Sequence, residues 1–383
     1  MISKILIIII ILLIIYVSSR NYDIVHANAS DLSKEEDLII EKNLQALNKP
    51  HVKTIVLQGG EIYDCIDFYK QPAFDHHLLK NHTIQMGSKS YITRSKKSST
   101  CPIGTVPIRR TTKEDLLRAR NLNNMNIGQQ RWHIVCVVMK DLGENKYHGG
   151  SSKISVYNLS LSSGQESSAS VWVQSGPPEQ LNYIAAGWMV SPLMYGTATR
   201  LFIYWTADGG QNTGCFNLHC PGFVQVDHEI TPDHLIFPVS SYGGPIYDVT
   251  VKVFQDKKSK NWVLSVFEED RIVGYLPKEL FPHMKDGAKQ VAWGGVAAAG
   301  SDGIAPPMGS GHKPDGVYTY NHAAYFKKFF YFDEDYVART PSYNNTFDHL
   351  DDTNCFGFQQ GRDYGTPWRY SFLFGGPGGQ CGN

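Results

Sequence analysis

The sequence has few charged residues and no excess of either sign. Only 19% of its 383 residues are Asp, Glu, Lys or Arg, and 36 basic side chains balance 36 acidic ones. Because there is no net positive field to attract phosphate, we do not expect a nucleic-acid-binding protein. Hydrophobic residues make up 42% of the chain, which excludes intrinsic disorder, since disordered chains combine low hydrophobicity with high net charge.

Several motifs of catalytic and metal sites are also missing. The sequence contains no G-x-S-x-G nucleophile elbow and no C-x-x-C or H-x-x-x-H spacing. We therefore expect no serine-hydrolase triad, no metal ion and no other cofactor.

The N-terminus has the pattern of a secretory signal peptide. Lys4 precedes thirteen consecutive apolar residues, Ile5 to Val17, a run shorter than the roughly 20 residues that cross a bilayer. We predict a signal peptide over residues 1–19, with cleavage after Ser19 or, alternatively, after Ala27. No second apolar run follows, so we expect no membrane association once the signal is removed.

Glycosylation sequons and cysteine pairs agree with a secretory route. The sequons are N-x-S/T triplets at Asn28, Asn81, Asn158 and Asn344. The cysteines predict three disulfides, Cys65–Cys101, Cys215–Cys220 and Cys355–Cys381. The seventh, Cys136, lies in the apolar run 134–138 and is expected to be a buried, unreactive thiol. The predicted location is extracellular, in the apoplast or cell wall, or vacuolar.

The pattern of residues changes near residue 128. Upstream, Asp31 to Leu47 has loose helical periodicity, and short apolar runs follow at 54–57 and 62–68. Residues 121–126 form a polar linker. We therefore predict a smaller α+β domain over residues 28–128 and a second domain over residues 129–383.

The second domain is predicted to be an antiparallel β-sandwich. The clearest strand is 247–253, where apolar and polar residues alternate. The other expected strands are 133–139, 153–161, 168–174, 184–190, 200–206, 222–226, 262–267, 271–276, 291–297, 317–320 and 324–332. About a dozen strands without a long helix indicate a β-sandwich or barrel.

Long motifs in both domains resemble the neprosin-like plant proteins. In the first domain, residues 65–76 and 78–82 are similar to the family's activation-peptide domain. In the second, residues 186–188, 203–209, 213–215 and 220–225 are similar to its peptidase domain. The motifs at 293–295, 308–312 and 375–378 continue this resemblance in the same order to the C-terminus.

The resemblance implies a glutamic endopeptidase fold with an altered active site. Such enzymes place two glutamates across a cleft, one as general base on water and one that stabilises the oxyanion. The first glutamate precedes Ala-Gly-Trp and the second follows Trp-Gly-Gly, positions occupied here by Ala185 and Val296. Neither side chain titrates. No other residue is assigned a catalytic role: Asp208 is expected in a turn, and the acidic cluster Glu268, Glu269 and Asp270 at a solvated hairpin tip.

These observations predict a secreted pseudopeptidase that binds Pro-containing peptide or glycoprotein segments without cleaving them. Some of the side chains in or beside the family motifs are expected to line the former substrate cleft, while any one of the aromatic residues could instead belong to the sandwich core: Trp188, Tyr204, Trp205, Tyr275, Trp293 and His312. Two alternatives remain open. The chain could be an active acid endopeptidase that uses other carboxylates, or a structural extracellular glycoprotein.

Overall fold

The computed structural model describes residues 37–57, 60–83, 100–117, 131–141, 143, 146–316 and 320–381. The predicted signal peptide, Asn28, the linker at 121–126 and the domain boundary near 128 lie outside these residues. No helix among the described residues is long and apolar enough to span a membrane.

A small α+β domain precedes the sandwich, as predicted. Residues 37–47 form helix α1 and residues 113–117 form helix α2. Between them lies an antiparallel sheet of order β1-β2-β3, with β1 (His51–Val56), β2 (Ile62–Asp67) and β3 (Thr105–Arg109). The Cys65–Cys101 disulfide ties β2 to the segment before β3. The sequence indicated β1 and β2 but not β3, which lies in a basic stretch without clear periodicity.

Two antiparallel sheets form the rest of the described chain, which confirms the predicted β-sandwich. The first has seven strands in the order β17-β4-β14-β6-β7-β8-β9. Its strands are β4 (Trp132–Met139), β6 (Glu166–Ser175), β7 (Asn182–Val190), β8 (Arg200–Thr206), β9 (Cys215–Phe216), β14 (Gln290–Ala298) and β17 (Thr346–Leu350). A short helix α3 (Pro192–Tyr195) joins β7 to β8.

The second sheet has nine strands in the order β10-β13-β12-β11-β5-β15-β19-β18, with β16 paired to β15. Its strands are β5 (Gly149–Ser155), β10 (Val224–Gln225), β11 (Asp248–Gln255), β12 (Trp262–Val266), β13 (Arg271–Leu276), β15 (Ala324–Phe332), β16 (Ala338–Arg339), β18 (Gly357–Asp363) and β19 (Tyr370–Gly375). Two expected strands differ from the prediction. The strand placed at 153–161 begins and ends earlier, and Tyr320 of the one placed at 317–320 lies in a turn.

The main hydrophobic core lies between the two sheets. Trp188 of β7, Trp262 of β12 and Trp293 of β14 are its largest fully buried members, and each is at most 1% exposed. The indole N–H of Trp188 donates to the Ser155 carbonyl at 2.9 Å, and that of Trp293 to the Ser151 carbonyl at 3.1 Å. These bonds tie the seven-stranded sheet to β5 of the opposite sheet while leaving no buried N–H of these two indoles unpaired.

All three predicted disulfides are present. Besides Cys65–Cys101, the pairs are Cys215–Cys220, beside β9, and Cys355–Cys381, near the C-terminus. Cys136 is the free cysteine, and burial, followed by Asp348 and Asp351, raises its pKa to about 12. The thiol is therefore un-ionised at physiological pH, which agrees with the unreactive role predicted for it.

We expect the change Trp293→Ala to destabilise the sandwich by about 3–5 kcal/mol, because it leaves a cavity and an unpaired Ser151 carbonyl. Thermal or urea denaturation monitored by circular dichroism measures this loss. Trp132→Ala is the matched control, because the Trp132 side chain is 38% exposed. Equal losses for the two variants would contradict this account of the core.

Candidate functional site

The outer face of the seven-stranded sheet carries a second apolar cluster. Along β7, Ile184, Ala186 and Trp188 point into the main core, so Ala185 and Met189 point to the opposite side. The same alternation holds along β4, β6, β8 and β14. We call the residues that point outward from these strands the groove face. It includes the cluster Cys136, Val138, Trp172, Ala185, Met189, Phe202 and Ala292.

Strand register arranges the groove face in rows. The central row, which we call the glycine row, is Phe202, Gly187, Ser170, Gly294 and Cys136. On one side lies the Ala185 row: Tyr204, Ala185, Trp172, Ala292 and Val138. On the other lies the Val296 row: Arg200, Met189, Ser168, Val296 and Ile134.

The two glycines of the central row cannot carry a side chain. A Cβ at Gly187 would lie 1.9 Å from the Ala169 carbonyl oxygen, and one at Gly294 would lie 2.4 Å from the Cys136 Cβ. The floor between the outer rows is therefore low. Burial, Asp208 and Glu166 together raise the pKa of Tyr204.

Ala185 and Val296 lie on opposite sides of this floor. Ala185 is 3% exposed, and Val296 is partly exposed. Both residues face outward from the same sheet, so the two positions that the resemblance assigns to the family's glutamates share one face. With Ala and Val there, neither a general base nor an acid is available at these positions.

The expectation that Trp188, Trp205 and Trp293 line the cleft was wrong. All three belong to the main core and are at most 3% exposed. The reason is the period of two along each strand, which directs these positions inward. Tyr204 does lie on the groove face, where its ring packs at 4.7 Å from that of Phe216.

His312 and Tyr275 contact other parts of the molecule. The His312 ring stacks on Tyr242 at 3.7 Å, in loops that do not belong to the groove face, so its assignment to the cleft was wrong. The Tyr275 hydroxyl, on β13 of the nine-stranded sheet, is 2.9 Å from Nε2 of His82 in the N-terminal domain. Tyr275 therefore lies on the other sheet and is not part of the groove face.

The sequence analysis missed the aromatic residues of the groove and one carboxyl group. Trp172, Tyr183 and Phe202 join Tyr204 on the groove face. Glu166 opposes Ala298 at the start of β6 and is the single carboxyl among the outward-facing residues of β4, β6, β7, β8 and β14. Alternation along β6, read outward from Trp172, is the signal that could have found it.

Other acidic groups have local partners. Partial burial raises the pKa of Asp208, but hydrogen bonds from Thr213 and Asn212 outweigh this and lower it to about 2. Glu268 pairs with Lys153 and Asp270 pairs with Lys252 on the nine-stranded sheet. These carboxylates are therefore engaged in the turn and on the opposite sheet.

One group among the described residues has the spacing of a metal site: His133, Asp352 and Cys381. The Cys381 sulfur is bonded to Cys355, so it is not available as a thiolate ligand. Two remaining ligand atoms fall short of the three or four protein ligands of ordinary zinc sites. We assign no metal to this group.

The sequons that the structure describes are accessible. Asn81, Asn158 and Asn344 are all exposed, so none is prevented by burial from carrying a glycan.

Comparison with known families now bears on this arrangement. The Neprosin family model matches residues 163–377, which is more than half of the chain. The chain belongs to the neprosin family. The Neprosin activation peptide model matches residues 54–149, which begins within β1 of the small domain and runs on through β4 to the start of β5.

Solved structures with a similar arrangement include two of scytalido-glutamic peptidase, one with a transition state analog inhibitor and one with a peptide-based transition state analog. The first is 10% identical, with a TM-score of 0.32, and covers 64% of this chain and 98% of its own. The second is 9% identical, with a TM-score of 0.30, and covers 65% and 98% respectively.

The activation-peptide domain packs on the edges of both sheets. Gln71 and Gln225 exchange two hydrogen bonds, from Gln71 Nε2 to the Gln225 carbonyl at 2.8 Å and from the Gln225 N–H to Gln71 Oε1 at 2.9 Å. Gln225 Nε2 also donates to the Pro107 carbonyl at 2.9 Å. Ala73 packs in an apolar cluster with Val224, Val263 and Tyr275. The interface thus combines several hydrogen bonds with apolar contacts, although the buried Gln225 Oε1 has no hydrogen-bond partner.

A charged network continues this interface towards the groove face. Arg109 of β3 forms ion pairs with Asp115 and, at 3.2 Å, with Asp233, while Glu61 pairs with Arg200 of β8. His219 lies against this network. Burial lowers the pKa of His219, an effect that Asp233 and Asp115 oppose and Arg109 increases.

We expect acid to weaken the docking of the activation-peptide domain. Burial also lowers the pKa of His82, which contacts Tyr275 across the interface. A histidine with a depressed pKa takes up protons more readily when released, so docking is fully favoured above about pH 6.5 and weakens as the pH falls below it. An increase in the radius of gyration from X-ray scattering between about pH 7.5 and pH 5 would measure the release.

His219→Gln should reduce this pH dependence, whereas the exposed His283→Gln is the control. Gel electrophoresis of the same samples should show an uncut chain, because Ala185 and Val296 carry no carboxyl group. A chain that expands equally in all variants would argue against the role of His219. Cleavage near residue 128 by the pure protein alone would contradict the expectation that the chain does not cut itself.

Proposed function

We propose that this protein is a secreted neprosin-like pseudopeptidase that binds Pro-containing peptide or glycoprotein segments in the groove without cleaving them. The observation that carries the proposal is the pair Ala185 and Val296 on opposite sides of the glycine row. The chain keeps the sandwich and the groove floor of small residues but has no carboxyl at either position.

The missing groups account for the proposed loss of hydrolysis. A positioned acid or base typically contributes about 10²–10⁴-fold to a rate. In a glutamic peptidase, water attack on the peptide carbonyl needs one carboxylate to accept a proton and another group to stabilise the oxyanion. An alanine methyl and a valine isopropyl group can do neither.

Aromatic side chains on the groove face support the choice of ligand. Trp172, Tyr183 and Tyr204 lie on the Ala185 side of the floor, and Phe202 lies at the β8 end of the glycine row. Proline rings of an extended peptide pack well on aromatic surfaces, and a polyproline-like segment loses little entropy on binding. These are also the features that allow a groove to bind peptide after its catalytic groups are lost.

The groove is mostly closed in the full-length chain. Trp172 is 8% exposed and Phe202 is 4% exposed. We therefore propose that ligand binding follows displacement of the activation-peptide domain, by acid or by another protease that cuts near residues 118–130. Arg118 and Arg120 lie outside the described residues and are the proposed cleavage sites.

We expect no turnover of a Pro-containing fluorogenic peptide by the unmodified protein between about pH 2.5 and 5.5, where carboxyl groups titrate. The double variant Ala185→Glu with Val296→Glu restores both carboxyls and should gain at least about 10²-fold over this background. Fluorescence release measures both rates.

The single variants Ala185→Glu and Val296→Glu are the controls, because one carboxyl should give little of the gain. Clear turnover by the unmodified protein would contradict the proposal and favour an active peptidase. Glu166, the single carboxyl found on the outward-facing strand residues, would then be the first residue to test by Glu166→Gln.

We further expect saturable binding of an immobilised Pro-rich peptide after cleavage at a specific protease site placed at residues 121–126. Because stacking on aromatic rings contributes to the affinity, Trp172→Ala should weaken it by about tenfold. Surface plasmon resonance measures this binding, and Trp132→Ala is the control. Absence of saturable binding would favour the alternative, a structural extracellular glycoprotein.

A further inference from the structure

Glu166 lies next to the place of the lost second carboxyl. It opposes Ala298 on β14, two residues beyond Val296 on the same face. Diagonal neighbours of this kind have Cβ atoms about 7–8 Å apart, within the reach of a long side chain. Glu166 therefore belongs to the wall of the groove.

Its carboxyl group has no partner among the described residues. Glu166 makes neither a hydrogen bond nor an ion pair there, and its side chain is only partly exposed. Its strand neighbours Ala298 and Val296 are apolar and cannot satisfy a carboxylate. An unpaired carboxyl on an apolar face is costly, and this cost falls when a cation approaches it.

The arginine side chains on this side of the sheet already have partners. Arg200 is on the same face, but its guanidinium pairs with Glu61 and donates to the Asp233 carbonyl at 3.0 Å. On the β4 side, Arg131 donates to the Cys381 carbonyl at 3.3 Å. The other titratable groups near Glu166 are the phenols of Tyr195 and Tyr204, which stay protonated because burial raises their pKa.

We propose that Glu166 is the specificity residue of the groove, and that it binds a basic side chain of an extended peptide whose apolar or proline residues pack on Trp172 and Tyr204. This inference rests on the proposed function and adds the chemical class of the ligand, a cationic Pro-containing peptide. Charge complementarity selects the occupant: the wall offers one carboxyl without a partner among the described residues, while the arginine on the same face, Arg200, is already paired with Glu61.

Recognition of the basic side chain should depend on pH. Burial raises the pKa of Glu166 to about 7. The carboxylate is thus ionised above neutral pH and neutral below it, so the preference for a cation is present at about pH 8 and lost as the pH falls through 7. A bound cation favours the ionised form, so binding near pH 7 should release protons.

The test compares two peptides on the full chain cleaved at a specific protease site placed at residues 121–126. One Pro-rich peptide carries a single lysine, and the other carries norleucine at the same position. At about pH 8 the lysine peptide should bind about tenfold more tightly, the range of a hydrogen bond to a charged group. The advantage should vanish at about pH 5.5 and, at pH 8, in the Glu166→Gln variant.

Glu179→Gln is the matched control, because Glu179 is an exposed carboxyl outside the groove. Calorimetry in buffers of different ionisation enthalpy should detect proton release near pH 7 for the lysine peptide and none for Glu166→Gln. Equal affinities for both peptides, or a lysine preference that survives Glu166→Gln, would overturn the inference and leave peptide binding intact. Failure of both peptides to bind would overturn the proposed function together with the inference.

Discussion

Close contact between neighbouring strands, β7 against β6 and β14 against β4, is the constraint on which the groove depends. A Cβ at Gly187 would meet the backbone of Ala169 and Ser170 on β6, and a Cβ at Gly294 would meet Val135 and Cys136 on β4. A side chain at either glycine would push the strands apart and disturb the main core beneath, where Trp188 and Trp293 pack. The floor therefore stays low for reasons of packing, whatever chemistry lies beside it. This separates the shape of the groove from its catalytic function, since Ala185 and Val296 contribute to neither contact.

That separation explains how a peptidase fold can lose its acid–base groups without losing its structure. A pair of nearby carboxyls is a source of instability, because burial and mutual repulsion both oppose ionisation. Replacing them by Ala185 and Val296 removes this cost and leaves an apolar face. What remains charged is at the periphery: Glu166 on one wall, and Arg200 in the network with the activation-peptide domain. In the proposed function, the charged group that recognises the ligand therefore lies at the edge of the groove and not at its centre.

The sequence predicted the fold better than it predicted the site. Alternation at 247–253 and the long family motifs identified the sandwich and the three disulfides, because these features are local or depend on cysteine spacing. The strand β5 begins at Gly149, before the start expected at residue 153, and the late strands β17 and β18 lie among polar and charged residues. β17 and β18 are edge strands of their sheets. β17 pairs with β4, which is distant in sequence, and single-sequence periodicity does not contain such a pairing.

The site was harder to predict than the fold. The direction in which a side chain faces decides whether it lies in the groove, and composition does not determine that direction. Trp188, Trp205 and Trp293 lie in family motifs, yet the motifs are maintained by core packing, and the tryptophans are part of that core. Trp172 and Glu166 both lie on β6, between β7 and β14, and are separated by an even number of positions. Knowing which face one of them occupies would therefore have placed both on the groove face. In a two-sheet protein the phase of one strand fixes the phases of its partners. Motif residues should therefore be sorted by strand phase before they are assigned to a binding site.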